Sequence, residues 1–112
     1  MDLPRKENIS LNAYRADKEI IREVIRQLEK DIVLAGGEFE MPPIIYDDIL
    51  ILKNNVAEYL NGISINNPAL LFNLFYRVDI PQEIIENEPS EMAELLLKRE
   101  LLKVLTRKFY GK

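Results

Sequence analysis

Three groups of charged residues in this 112-residue chain could carry chemistry. The first is acidic: Glu38, Glu40, Asp47 and Asp48 crowd a short stretch. Carboxylates are the right ligands for a hard divalent cation. Asp47 and Asp48 are sequence neighbours, however, and neighbours on a helix point about 100° apart. No D-x-D-x-D-G spacing accompanies them. Acids gathered near a helix N-terminus account for the group without a metal. An acidic metal or small-ligand site therefore stands as an alternative expectation, and no cofactor is expected.

The other two groups are basic. Lys18, Arg22, Arg26 and Lys30 recur every four residues, with Arg15 beside them. Such a row could follow phosphates. Glu19, Glu23 and Glu29 interrupt it at ion-pair spacings, which reads as a solvated face of mixed charge. Arg99, Lys103 and Arg107 form a second row that ends near Tyr110. A base row with an adjacent aromatic can hold single-stranded nucleic acid. The pI of about 4.9 is far from the basic footprint of such binders. Nucleic-acid association through these rows is accordingly the weaker expectation.

Elsewhere catalytic material is scarce. Arg77 and Asp79 flank Val78, and helix capping explains both: an arginine at one helix end, an aspartate starting the next. Ser10, Ser64 and Ser90 lie in no nucleophile elbow. Lys53 has Asn54 and Asn55 as neighbours, which places it on an exposed face. The chain has no histidine and no cysteine. The commonest general base, the commonest metal ligand and all thiolate chemistry are thereby missing.

The charge is segregated along the chain. Residues 1–37 balance, residues 38–94 hold eleven acids against two bases, and residues 95–112 hold six bases against Glu100. A basic end can attract an anionic partner, or it can complement the helix dipole and the acidic middle of its own fold. The hydrophobic fraction of 47% and charged fraction of 30% describe a globular chain. No apolar run exceeds four residues, and the first residues contain no apolar leader. The expectation is a cytoplasmic protein with no membrane span.

These residues need elements to position them, and the prolines mark where elements begin. Pro4, Pro42, Pro68, Pro81 and Pro89 each follow an acid or amide by two residues. Proline suits the first turn of a helix, and a preceding Asp or Asn can accept the free N–H groups there. The apolar period predicts helices over about 11–35, 43–61, 68–78, 81–87 and 90–110, with Gly36-Gly37 and Gly62 as stops. No stretch alternates as a strand would.

The segment NPALLFNLFYRV, residues 67–78, is polar inside its helix only at Asn73 and Arg77. A helix apolar nearly all round is buried on most sides. It is therefore expected to be the central helix, with Phe72 and Phe75 both in the core. The fold expected is all-α: a compact single-domain bundle of four main helices, plus a short extra helix before the last. The function expected is a small non-enzymatic interaction or adaptor module, binding a partner protein or a second copy through an apolar helical face bordered by charge. The last helix is the expected face, with Leu96, Arg99, Lys103, Arg107 and Tyr110 as partner-binding residues.

Overall fold

The computed structural model describes residues 9–38 and 47–110. A 3-10 turn, Leu11–Tyr14, precedes four helices: α1 Lys18–Leu34, α2 Ile49–Asn66, α3 Pro68–Arg77 and α4 Pro89–Tyr110. A second 3-10 turn, Gln82–Glu86, leads into α4. There is no strand among the described residues, so the all-α bundle is as expected.

The boundaries differ from the periodic reading for local reasons. The expected first helix, 11–35, is divided. Asp17 stands extended at φ −81°, ψ 94°, and its side chain accepts the amide of Ile20. A carboxylate used this way starts a helix rather than continuing one. At the other end Gly36 adopts φ +105°, and the Gly36 and Gly37 amides reach back to Val33 and Ile32. That is a Schellman ending, for which glycine is the favoured residue.

The second helix starts at Ile49, later than the expected 43–61 span has it: Asp47 and Asp48 are not helical, and Asp48 stands extended as the N-cap, its side chain accepting Leu50 N–H at 2.8 Å. The expected start at Pro43 lies outside the described residues. Gly62 does not stop α2, which runs on to Asn66. The stop is set by Pro68, since the residue before proline is driven from the helical region. Asn67 sits accordingly at φ −153°, ψ 67°, and its side chain caps α3 through Leu70 N–H.

α3 is amphipathic rather than central. Leu70, Leu71, Leu74 and Phe75 are buried, but Phe72 is 42% exposed and Tyr76 82%. Its neighbours supply too few surfaces to cover every side. The central element is α4, which packs against both α1 and α2. Ion pairs fix the α1–α4 direction: Lys108 binds Glu19 at 3.3 Å and Glu23 at 2.8 Å, while Lys103 binds Asp31 at 2.8 Å. The two helices are thus antiparallel.

The α3 ending corrects a second expectation. Asp79 does not cap the next turn. It occupies the left-handed position after α3, at φ 63°. Its amide reaches Tyr76 O, and the Ile80 amide reaches Phe75 O at 2.9 Å, a second Schellman ending. Val78 and Ile80 are consequently pulled into the core. The expected helix over 81–87 is only the 3-10 turn, N-capped at Pro81 without a side-chain hydrogen bond.

Candidate functional site: the α1–α4 cleft and the carboxyl pair beneath it

Two rows on α4 at four-residue steps face the same side: Arg99, Lys103, Arg107 and Leu102, Thr106, Tyr110. Antiparallel packing brings Gln27 and Lys30 of α1 against them. These eight residues line a cleft of about 580 Å³. Tyr110 is 61% exposed at one end and Leu102 is half-buried, so an apolar strip runs among cations.

The cations are anchored from below. Arg99 donates from Nε to Val78 O at 3.1 Å and from Nη2 to Asp79 at 3.2 Å, which ties α4 to the end of α3. Arg107 Nη1 donates to Gln27 Oε1 at 3.0 Å. Gln27 Nε2 in turn donates to Asp31 Oδ2 at 3.2 Å. The same Asp31 accepts Lys103 Nζ at 2.8 Å and Arg77 Nε at 3.0 Å. Asp31 is only 1% exposed, yet it connects α1, α3 and α4.

Glu100 lies beside it on α4 and is 0% exposed. Neither of its oxygens accepts a hydrogen bond, and Lys103 Nζ stands off at 3.6 Å. An ionised carboxylate so placed would be very costly. As a neutral acid it becomes a donor, with Asp31 as the facing acceptor. Burial, then the hydrogen bond to Asp31 and the Asp31 charge, push Glu100 up to about 9 against the pull of Lys103. Burial acts the same way on Asp31, but hydrogen bonds from Glu100, Lys103 and Gln27 outweigh it and hold Asp31 at about 2. One proton is thus shared unequally between two acids: Asp31 is the anion and Glu100 the acid.

Arg99, Lys103, Arg107 and Tyr110 therefore come together as the sequence placed them. Leu96 does not. It is 0% exposed and belongs to the core. α4 has neighbours on more than one side, so a position that looks polar-faced in isolation is covered. Gln27, Asp31 and Glu100 were not singled out from sequence. The available signal was their period: Gln27 and Asp31 sit in the stripe of Val24, Leu28 and Ile32, and Glu100 in that of Leu97, Leu101 and Val104. A charge on the apolar stripe of each of two helices announces a buried pair.

The remaining candidates resolve structurally. Lys18, Arg22, Arg26 and Lys30 are exposed along α1, and Lys30 reaches the cleft. Asp48 caps α2 and binds Arg15 at 3.1 Å; the Leu50 amide first, and then Arg15, hold its carboxyl below the usual range. Glu40 lies outside the described residues. Among the described residues no three acids gather as metal ligands would. Arg77 and Asp79 do not form a pair; each has its own partner, Asp31 and Arg99. Lys53 is half-buried rather than exposed, bound to Glu94 at 3.3 Å.

Among the described residues no helix is long and apolar enough to cross a membrane. No protein-family model matches this chain, and no match is found among curated proteins or solved structures.

Proposed function

We propose that this protein is a small non-enzymatic interaction module that docks an acidic segment of a partner protein in the α1–α4 cleft. The observation that supports this reading is the gathering of Lys30, Arg99, Lys103 and Arg107 around Leu102 and Tyr110 on a chain of net charge −4. Clustered cations steer an acidic ligand and the apolar strip holds it, the combination that interfaces use. Arginine and tyrosine are the residue types most often found where binding energy concentrates. The apolar helix face expected from sequence becomes a charged cleft with an apolar floor, because Leu96 is withdrawn into the core. An acidic protein segment fits better than a nucleic acid, because the acidic remainder of the surface repels a long polyanion. The absence of histidine and cysteine supports a binding role over a catalytic one.

Fluorescence anisotropy with a capped, labelled polyglutamate peptide, run beside a labelled single-stranded oligonucleotide, tests this. The peptide should bind, and Lys30→Glu with Tyr110→Ala should weaken it at least about tenfold. Both residues are exposed, so the variant should keep its melting temperature. Preferential binding of the oligonucleotide, with affinity falling steeply with salt, would replace the acidic-segment reading.

A further inference from the structure

Lys103 is the residue that belongs to both halves of the site. It lines the cleft with its side chain 34% exposed, and its ammonium lies 2.8 Å from Asp31 and 3.6 Å from Glu100. An anion docked in the cleft must share that ammonium with the buried acids. We propose that docking of an acidic group at Lys103 is coupled to the proton on Glu100, so that the cleft binds acidic ligands in the Glu100-protonated state and releases them when that proton leaves. This inference rests on the docking reading above.

The geometry supplies the coupling. Glu100 has no hydrogen-bond donor to support an ionised form. Its charged neighbours are Asp31 from α1 and Lys103 from α4, with Arg77 of α3 on the other oxygen of Asp31. On α2, Lys53 is engaged with Glu94. When Glu100 loses its proton, Lys103 is the cation within reach, and two buried carboxylates then hold it. The cleft loses an anchor and gains a negative floor. Conversely, an anion that draws Lys103 outward removes the cation that makes Glu100 ionisation tolerable, so Glu100 takes its proton more firmly. Coupling of this kind is reciprocal by necessity. The balance is simple: above the Glu100 titration, docking takes one proton from solvent onto a Glu100 carboxylate oxygen. Below it, docking leaves the proton count unchanged, because burial already keeps Glu100 neutral up to about pH 9.

Two measurements test this. The first titrates the Glu100 side-chain carboxyl by NMR in the wild type and in Lys103→Met, which imitates Lys103 drawn away. The Glu100 titration should lie far above the carboxylate range and move higher in the variant. An ordinary carboxylate titration, or no change in Lys103→Met, overturns the proposal whether or not any peptide binds. The second measures binding of the labelled polyglutamate peptide between pH 6 and 10. Affinity should be flat at first and then fall, towards about tenfold per pH unit, as Glu100 ionises. Glu100→Gln should remove most of that fall. Identical profiles for wild type and Glu100→Gln would refute the coupling while leaving the docking reading intact.

Discussion

The replacement Glu100→Gln should stabilise this protein at neutral pH, although it alters a fully buried residue. Glu100 titrates at about 9 in the fold against 4.5 in an ordinary setting. Between those values the folded chain holds a proton that the unfolded chain releases. Stability therefore falls as pH rises from about 4.5 towards 9 and is flat on either side, by this group alone. Each pH unit is worth about 1.4 kcal/mol, so at pH 7 the neutralisation of Glu100 costs the fold about 3 kcal/mol. A glutamine amide needs no proton from solvent. It can donate to Asp31 and accept from Lys103. Urea titrations followed by circular dichroism at pH 4.5, 7 and 8.5 should show the variant level with wild type at the first pH. At pH 7 it should be ahead by about 3 kcal/mol, and further ahead at the last. Titrating groups away from Glu100 cancel in the difference between the two proteins. A variant less stable than wild type at pH 7, or a difference independent of pH, would refute a neutral buried Glu100.

Asp31 runs the other way. Its titration is lowered from 3.8 to about 2, so its contribution is complete above pH 4 and is lost as pH falls towards 2; Asp31→Asn should cost roughly 3–5 kcal/mol at pH 7, read by urea unfolding, because it strips a buried hub from Lys103 and Arg77. Phe75→Ala should cost roughly 3–5 kcal/mol and Phe72→Ala less than about 1, since one ring is enclosed and the other half in solvent; equal losses in thermal melts would contradict the orientation of α3. Asp79→Gly should be neutral or stabilising by up to about 1 kcal/mol in the same melts, because φ 63° favours glycine and the Arg99 pair it removes is at the surface. Gly36→Ala, at φ +105°, should destabilise by about 1 kcal/mol, although the added methyl meets nothing.

Fold class was readable because apolar periodicity is carried by many residues at once, and tertiary packing had no reason to override it in α1 or α4. Single-residue events were not. Asp17 divides the first helix with one side-chain bond, and Gly62 fails to end α2 because Pro68 imposes the stop instead. Both residue types are compatible with either outcome, and the choice depends on the residues downstream of them. Burial within one helix was legible only as far as its neighbours could be guessed, which is why Leu96 and Phe72 were each placed on the wrong side. The α4 cations of the cleft were legible from their four-residue spacing. Its acidic foundation was not, because Asp31 and Glu100 are separated by most of the chain and meet only through antiparallel packing.

The junction at Asn67 has a consequence for how this chain can vary. One residue ends α2 and caps α3, with Pro68 immediately after, so no connecting loop exists between the two helices. The angle between them is set by one backbone conformation rather than by a segment of adjustable length. An inserted residue there would rotate the whole buried face of α3 away from its seat. The stretch from Pro81 to Glu88, by contrast, holds only a short 3-10 turn with no buried residue of its own. Length changes, protease nicks and grafted sequences should be tolerated at its exposed positions, away from Ile84 and Ile85, which pack against the core, and refused at the Asn67 corner.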